Sequence, residues 1–534
     1  METISFTGPG LELADDSGLY PAVRTSLSLD LERIAIRSAD RLRSAAGLIA
    51  DVEHVAAALL HCGVERGDRV AILGRTGFDW VVIDLATVAI GAVVVPIYPT
   101  SSAAQIAHIV ADSGARAFFG ESGDDRDRLR DAGAGDVWSF AETRTWTPAP
   151  DQGLTERVNA VRADDVAMIV YTSGTTGLPK GCKITHRNMY ASAANTVQQT
   201  EGMFKGTTAL GLPLSHVFGQ TILFACLLGG SDTHLFPGIP DLIGALREAQ
   251  PDFLTLVPYA LEKMRKADTN GEGAQRWGGR LRNVISGGAS LDEFTARYFA
   301  EHGVCILNCY GMTEAATAVT VSAPSTNRIG TVGRPIPGTE VAIADDSEIL
   351  VRGANVTPGY WGAAAEQVMV DEEGWLHTGD LGRLDPDGFL QITGRRKEIL
   401  VTTGGKNVAP TLLEDRVRLH PLVSNCIVIG DGKPFVAALI TLDPNTFADW
   451  QRERRDGQTD GGEVDGQRLR DELSAAVDEA NSLVSKAESI REFRVLPRDF
   501  TVATGELTSS LKLKRAAIIA ANAAIVADIY RAAR

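Results

Sequence analysis

The segment YTSGTTGLPKG, from Tyr171 to Gly181, decides how the rest of this chain is interpreted. Its first two residues end VAMIVYT, an apolar run of the length and composition that predict a buried strand. Its three glycines, four Ser or Thr hydroxyls and one lysine lie close together. Such a loop can surround phosphate oxygens with N–H groups and hydroxyls, while Lys180 neutralises their charge. Leu-Pro-Lys follows Gly177 where a Walker A loop would have Lys-Ser or Lys-Thr, so this is not a Walker A loop. A flexible Ser/Gly surface loop is the less favoured interpretation.

On both sides of this loop, helical and strand-like patterns alternate. Residues 45–62 have helical apolar spacing, and GVERGDRVAILG then predicts a turn and a buried strand. The same alternation resumes in PDFLTLVP and LRNVISGGA, which favours an α/β domain with a largely parallel sheet. Residues 121–160 are polar and predict variable surface structure, whereas residues 330–393 predict a small β-rich subdomain. Beyond GRRKE the chain restarts with its own strands and helices, so a domain boundary is expected there.

Bulk composition narrows the class of protein. The chain has 534 residues, which predicts more than one domain, and a net charge of −16, which argues against nucleic acid as a partner. That charge also argues against strong attraction to anionic lipid, but it leaves a local apolar membrane contact open. The six cysteines are scattered and predict free thiols, and the apolar run containing Asp84 is interrupted too often to be a membrane span. With no signal peptide recognised, a cytoplasmic protein is expected.

YTSGTTGLPKG resembles the signature phosphate loop of the adenylate-forming superfamily, which includes acyl-CoA synthetases, peptide-synthetase adenylation domains and luciferases. Later segments resemble the other motifs of that superfamily in the same order: PLSHVFG, SGGASL, CYGMTE, WLHTGDLGRLDPDGFLQITGRRKE, VTTGGKNVAP and TGELTSSLKLKR. The resemblance implies a large N-terminal domain of α/β subdomains plus a β-rich subdomain, over residues 1–394. A hinge at 395–398 and a small mobile α+β domain at 399–534 would follow.

The resemblance also implies an ATP site with Mg²⁺. Glu314 and Thr172 would hold the metal, Thr313 would touch the α-phosphate and Tyr310 would stack near the adenine. Asp380 would accept hydrogen bonds from the ribose hydroxyls, with Arg395 nearby. Lys180, Thr313, Glu314 and Lys512 are the implied catalytic residues. The implied ATP-binding residues are Thr172, Ser173, Gly174, Thr175, Thr176, Gly177, Lys180, Gly288, Tyr310, Gly311, Thr313, Asp380, Arg395 and Lys512.

For the other two substrates, the resemblance implies an acyl site and a coenzyme A (CoA) channel. His216, Gly287 and Gly288 would lie beside the acyl group, and Gly404, Gly405 and Lys406 would line the path of CoA. Lys397 occupies the position of the hinge residue. Rotation there would exchange Lys512, which serves adenylation, for the CoA loop, which serves thioester formation.

The implied activity is ATP-dependent ligation of a medium- to long-chain fatty acid to CoA through an acyl-adenylate. One departure from the family pattern is Gly394-Arg395, where an Asp-Arg pair is common. Two alternatives remain: adenylation followed by loading of a carrier protein, and a non-catalytic nucleotide-binding paralogue. A peripheral contact with the inner face of the membrane and the oligomeric state are both left open.

Overall fold

The structure is a computed structural model, and it describes residues 3–6, 8–146, 153–172, 178–268, 271, 273–455, 463–501, 504–507 and 513–531. The chain divides into two compact units. The first comprises Met1–Thr378 and Leu384–Gln391, and the second comprises Gly379–Arg383 and Ile392–Arg534. The predicted fold class, an α/β chain with a large N-terminal and a smaller C-terminal domain, is confirmed. The boundaries at 394 and 399, and the hinge between them, stay predictions.

The strands and helices follow one another along the whole chain. The strands are β1 (Thr3–Phe6), β2 (Ile34–Ser38), β3 (Arg41–Ser44), β4 (Arg69–Leu73), β5 (Val93–Ile97), β6 (Ala117–Gly120), β7 (Val137–Ser139), β8 (Val166–Thr172), β9 (Lys180–Thr185), β10 (Thr207–Leu210), β11 (Asp232–Leu235), β12 (Phe253–Leu256), β13 (Asn283–Ser286), β14 (Cys305–Met312), β15 (Thr317–Val321), β16 (Arg334–Pro335), β17 (Thr339–Ile343), β18 (Glu348–Gly353), β19 (Leu376–Leu384), β20 (Leu390–Arg395), β21 (Leu400–Val401), β22 (Asn407–Val408), β23 (Val423–Ile429), β24 (Val436–Leu442) and β25 (Ile490–Val495). The helices are α1 (Leu19–Ser28), α2 (Ala45–His61), α3 (Phe78–Ala89), α4 (Ala103–Ser113), α5 (Gly123–Asp131), α6 (Leu154–Ala160), α7 (His186–Gln199), α8 (Val217–Gly229), α9 (Ile239–Ala249), α10 (Pro258–Lys266), α11 (Gly273–Arg276), α12 (Glu293–Glu301), α13 (Pro410–Arg418), α14 (Pro444–Arg455), α15 (Glu463–Asn481), α16 (Arg515–Ala521) and α17 (Ala523–Arg531).

Among the described residues, the first unit contains two large sheets. One has the strand order β7-β6-β4-β5-β8-β9, and the other has the order β16-β15-β14-β13-β12-β10-β11-β2-β3. Neighbours in the middle of both sheets are parallel, as the alternation of helix and strand predicts. A third sheet, β1-β17-β18-β19-β20, forms the β-rich subdomain expected after residue 330. Gly379–Arg383 of β19 belong to the second unit.

Both large sheets bury both faces, which explains their continuous apolar runs. On β4, Val70 and Ile72 join the main core with α2, α3 and α8, whereas Ala71 and Leu73 face a separate core with α4. Because side chains alternate along a strand, one strand contributes to two cores. Helices α3 and α8 are buried on nearly every side, including the polar Asp84 and Gln220.

The polar region at 121–160 is more regular than the sequence predicts. It contains α5, and β7 extends the six-stranded sheet by pairing in parallel with β6. Trp138 and Trp146 pack against Phe119 of β6, with ring centroids 5.4 and 5.9 Å away. Two tryptophans supply enough apolar surface to anchor an otherwise hydrophilic stretch.

The second unit has its own core on either side of the sheet β23-β24-β25. Helices α13 and α15 cover one face through Leu413 and Leu473, and the last two helices cover the other through Ile518 and Ile529. This is an α+β arrangement, as expected. In the part of the chain that the structure describes, no helix combines the length and apolarity needed to cross a membrane.

Candidate active site

Strands β8 and β9 form an antiparallel hairpin that carries the ends of the predicted phosphate loop. Thr172 is paired in register with Lys180, and both side chains are half-buried. The predicted loop residues Ser173, Gly174, Thr175, Thr176 and Gly177 lie outside the described residues. Two of the predicted phosphate-loop residues are therefore placed side by side on a regular pair of strands.

Lys180 is held by two side chains from a distant part of the sequence. Its Nζ donates a hydrogen bond to Gln367 Oε1 at 2.6 Å and lies 5.7 Å from the centroid of the Tyr360 ring. An ammonium at that distance from an aromatic ring is attracted by its π-electrons. Neither the amide oxygen nor the aromatic ring is an anion.

Glu314 lies on a short turn of 3₁₀ helix, Thr313–Ala315, at the end of β14. Its Oε1 accepts a hydrogen bond from the Tyr360 hydroxyl at 2.7 Å, and its backbone carbonyl accepts one from Thr357 N–H at 2.9 Å. Burial and the neighbouring Glu314 charge raise the pKa of Tyr360, so the hydroxyl remains protonated and donates. The carboxylate is thus fixed through both its side chain and its backbone.

The residues that follow Glu314 adopt an unusual backbone conformation. Ala316 has φ +45° and Thr317 has φ +88°, a left-handed value that a β-branched residue rarely adopts. Strain of this kind costs about 1–3 kcal/mol per residue and persists where the surroundings enforce it. Thr221 on α8 lies against this turn, with its Oγ1 3.2 Å from the Ala316 carbonyl and 3.1 Å from Thr317 Oγ1.

Residues 357–361, which we call the clamp segment, join the hairpin to Glu314. The Lys183 N–H donates to the Gly359 carbonyl at 3.1 Å, and the Trp361 N–H donates to the Gly181 carbonyl at 2.7 Å. The clamp segment therefore runs antiparallel to β9 and forms a single β-bridge with it, with Tyr360 opposite Cys182. Sequence reasoning missed it, because GYW within NVTPGYWG has no pattern that indicates chemistry.

The ends of β13 and β14 bring the predicted motifs SGGASL and CYGMTE together. The strands are parallel neighbours, with Ser286 paired to Asn308. A Cβ added to Gly287 would lie 2.4 Å from Cys309 Sγ, and Gly288 has φ +88°. A Cβ on Gly311 would lie 1.3 Å from the Thr317 carbonyl oxygen, so no larger residue fits there. The neighbouring predicted residues Tyr310 and Thr313 are half-buried and buried, respectively.

His216 caps the N-terminus of α8. Its Nδ1 accepts a hydrogen bond from the Phe218 N–H at 3.1 Å, and its ring meets Tyr98 edge-on at 6.1 Å. Phe218 itself approaches Gly287: a Cβ there would be 3.3 Å from Phe218 Cζ. The helix that His216 begins thus contacts the predicted acyl segment.

In the second unit, Asp380 and Arg395 form an ion pair. Arg395 Nε lies 2.7 Å from Asp380 Oδ1; the carboxylate side chain is 3% exposed and the arginine 51% exposed. The two residues predicted to contact ribose are therefore neighbours, and the arginine shields the carboxylate from solvent. Lys397 is exposed on the 3₁₀ turn Arg396–Glu398.

The predicted CoA loop is a tight turn between β21 and β22. Thr402 N–H donates to the Lys406 carbonyl at 3.0 Å, and Gly405 N–H donates to the Thr402 carbonyl at 2.8 Å, with Gly404 exposed between them. Lys406 Nζ lies 3.6 Å from Glu488 Oε1. Lys512, the remaining predicted catalytic residue, lies outside the described residues.

Comparison with known families agrees with this arrangement of motifs. A family profile described as AMP-binding enzyme matches residues 28–361, and one described as AMP-binding enzyme C-terminal domain matches residues 397–534. The chain belongs to the AMP-binding enzyme family. The predicted resemblance to the adenylate-forming superfamily is therefore confirmed.

Individual relatives show which proteins this AMP-binding enzyme is similar to. It is 38% identical to long-chain-fatty-acid–CoA ligase FadD15 of Mycobacterium bovis and 37% identical to the protein of that name from Mycobacterium tuberculosis, with 90% of each chain covered. In fold it is similar to the anthranilate CoA ligase AuaEII in complex with anthranoyl-AMP (21% identity, TM-score 0.79, 95% and 98% coverage). It is also similar to o-succinylbenzoate CoA synthetase of Bacillus subtilis in complex with ATP and magnesium ion (24% identity, TM-score 0.73, 93% and 98% coverage).

The donor set of this AMP-binding enzyme fits Mg²⁺ only together with a ligand. Within the described ranges, no group of three or more His, Cys, Asp or Glu side chains could hold a metal ion. Mg²⁺ is commonly bound through one or two carboxylates plus substrate phosphates and water. Glu314, half-buried and opposite in charge to nearby Lys180, suits that mode of binding.

Proposed function

We propose that this protein is an AMP-forming fatty acid:CoA ligase acting on long-chain acids. The observation that carries the proposal is the cluster of Lys180, Tyr360 and Glu314, a cation and a carboxylate supported by one aromatic residue. The identity of 38% over 90% of the chain with a ligase named for long-chain fatty acids supports the choice of acid. We propose ATP, Mg²⁺ and CoA as its small-molecule requirements.

The proposed reaction has two steps. A carboxylate oxygen of the fatty acid attacks the α-phosphorus of ATP, and the bond to the bridging oxygen breaks, releasing pyrophosphate and leaving an acyl-adenylate. The CoA thiolate then attacks the acyl carbon, and AMP departs with the electron pair of the broken C–O bond. Because both reactants of the first step are anions, positive charge must offset their repulsion.

The described residues can supply part of that charge. Lys180 would neutralise the phosphates of ATP, and Glu314 would bind Mg²⁺, with Thr172 as a second ligand. The metal would withdraw charge from the phosphate oxygens. Thr313 and Tyr310 would contact the α-phosphate and the adenine.

Asp380 would accept hydrogen bonds from the two ribose hydroxyls. Arg395 already pairs with one oxygen of this carboxylate, so the arginine would orient it while the ribose takes part of the remaining acceptor capacity. His216 would border the acyl chain. The remaining phosphate-loop residues and Gly288 complete the proposed ATP site.

The two half-reactions would use different parts of the C-terminal residues 399–534. We assign adenylation to Lys512 and thioester formation to the loop Gly404–Lys406, with Lys397 as the hinge. Lys512→Ala is expected to abolish acid-dependent exchange of pyrophosphate into ATP while sparing transfer from preformed acyl-adenylate to CoA. Gly404→Leu is expected to do the reverse. Equal loss of both half-reactions in either variant would contradict the assignment.

The most direct test of the function is a panel of acids, from acetate to icosanoate and including aryl acids, assayed for AMP release with and without CoA. We expect release to depend on CoA and to be fastest with long-chain acids. The same rate without CoA would instead indicate another acceptor, such as a carrier protein. No AMP release with any acid would favour a non-catalytic paralogue.

The cellular setting is also a proposal. All six cysteines are free, which suits a reducing cytoplasm. The proposed acid is amphipathic and partitions into membranes, so a peripheral contact at the inner face of the membrane would bring the enzyme to its substrate. Fractionation of cells, with and without added long-chain acid, measures that contact.

A further inference from the structure

Tyr360 is the side chain that links the two charged groups of the candidate phosphate site. Its hydroxyl donates to Glu314 Oε1 at 2.7 Å, and the centroid of its ring lies 5.7 Å from Lys180 Nζ. It is 6% exposed, and the pairing of the clamp segment with β9 fixes its backbone. One buried residue therefore contacts both a carboxylate and an ammonium.

Tyr360 hydrogen-bonds to one of the two carboxylate oxygens of Glu314. Among the described residues, no hydrogen bond reaches Glu314 Oε2, while Oε1 is taken by Tyr360. A carboxylate held at one oxygen presents the other in a defined direction, which is how second-layer hydrogen bonds orient metal ligands. The backbone of Glu314 is held separately by Thr357, so loss of the hydroxyl should free the side chain and leave the turn intact.

From this geometry we propose that Tyr360 is a positioning residue for metal–nucleotide binding: its hydroxyl orients Glu314 and its ring orients Lys180. The inference rests on the proposed function, because it assigns Glu314 to Mg²⁺ and Lys180 to phosphate. The proposal gives the hydroxyl and the ring of Tyr360 different roles, which can be tested separately. The hydroxyl governs the dependence on metal, and the ring governs metal-independent affinity for the phosphates.

The test uses calorimetric titration of the full chain with ATP, once in Mg²⁺ and once in EDTA. The ratio of the two affinities measures the contribution of the metal. For Tyr360→Phe we expect this ratio to fall about tenfold with the EDTA affinity within about twofold of wild type, since disturbing a ligand-orienting hydrogen bond typically costs about 10–100-fold in metal affinity. Tyr360→Leu should weaken binding in EDTA as well.

A double-mutant cycle excludes a merely structural role. Glu314→Gln should remove most of the Mg²⁺ dependence, and Tyr360→Phe added to it should change the ratio less than about twofold, because the hydroxyl then has no metal ligand to orient. Additive losses would overturn the proposal. The matched control is Tyr298→Phe, which removes a tyrosine hydroxyl bound to Asp268 elsewhere in the same unit and should behave as wild type.

Failure of this inference can be distinguished from failure of the proposed function. If wild type binds ATP more tightly in Mg²⁺ and Tyr360→Phe does so equally, the role of Tyr360 is wrong while the function stands. If wild type binds no ATP under either condition, the proposed function is wrong and this inference falls with it. Thermal unfolding of each variant shows that the comparison is between folded proteins.

Discussion

Glu314 and Asp84 are carboxylates of the same unit in opposite environments. Glu314 is half-buried, accepts a hydrogen bond from Tyr360 and lies on a strained turn near a lysine. Asp84 is fully buried in α3, where its one hydrogen bond among the described residues comes from Gln220 Nε2 at 3.3 Å. The surroundings of Glu314 stabilise a negative charge, whereas those of Asp84 favour the neutral, protonated acid.

The environment of Asp84 favours the protonated acid. Burial raises its pKa from 3.8 to about 7, and the hydrogen bond from Gln220 only partly offsets this. In the part of the chain that the structure describes, Asp84 Oδ2 and Gln220 Oε1 both lack partners. A proton on Oδ2 would give the acid a donor for that amide oxygen, so one proton can satisfy both atoms. A perturbed carboxylate therefore does not by itself mark the active site.

The largest effect is expected from Gly311→Ala, which disrupts the backbone close to Glu314. The added Cβ would lie 1.3 Å from the Thr317 carbonyl oxygen; the oxygen is a backbone atom and the backbone also fixes the position of the Cβ, so no rotamer relieves the overlap. We expect a loss above about 5 kcal/mol in unfolding free energy or a failure to accumulate as soluble protein. Gly135→Ala, where a Cβ meets nothing within 4 Å, is the control. Wild-type thermal stability of Gly311→Ala would show that this strand pairing is wrong.

The Asp84 side is tested by Asp84→Asn across pH. The folded chain binds the proton more tightly than the unfolded chain, so the stability that this proton contributes is full below about pH 4 and is lost as pH rises to about 7. The difference between 3.8 and about 7 corresponds to at most about 4 kcal/mol. The amide of the variant does not titrate, so Asp84→Asn should gain in melting temperature relative to wild type as pH goes from about 4 to about 8.

The exposed Asp131→Asn on α5 serves as the control for that pH series and should show no pH-dependent gain. Asp84→Asn should also retain wild-type adenylation, because Asp84 is not assigned to any substrate. A constant offset between Asp84→Asn and wild type at every pH would mean that Asp84 is charged in the folded protein.

Glu314→Gln should have the opposite effect to Asp84→Asn: it should change activity and leave stability nearly unchanged. The amide keeps the shape of the side chain and a hydrogen-bond acceptor for Tyr360 but removes the charge. We expect melting temperature to stay near that of wild type while acid-dependent pyrophosphate exchange falls about 10²-fold, roughly 3 kcal/mol of transition-state stabilisation. Glu301→Gln, at the exposed end of α12, is the matched control. Unchanged exchange in Glu314→Gln would remove Glu314 from the proposed chemistry.

The motifs predict two charged residues of the candidate site but not the tyrosine that contacts both. Lys180 and Glu314 each lie in a contiguous pattern, whereas the contact of Tyr360 with Glu314 spans 46 residues and exists only after folding. Asp84 is visible in sequence merely as an interruption of an apolar run, and its hydrogen-bond partner Gln220 lies 136 residues away. Alternating helix and strand predicts parallel sheets, but strand order depends on long-range pairing such as Thr233 with Ile36.

Two adjacent residues of α8 contact the surroundings of the two carboxylates. Gln220 reaches Asp84, and the Thr221 hydroxyl lies 3.0 Å from the Val217 carbonyl and 3.2 Å from the Ala316 carbonyl beside the strained turn. Thr221→Val removes the hydroxyl at nearly constant volume, leaving a buried carbonyl with one hydrogen bond fewer. We expect about 1 kcal/mol of destabilisation and less than about a tenfold loss of adenylation, because Tyr360 and Thr357 still hold Glu314. Thr221→Ser, which keeps the hydroxyl, should restore exchange toward wild type; if Ser and Val lose exchange equally, packing of the methyl group rather than the hydrogen bond supports the turn.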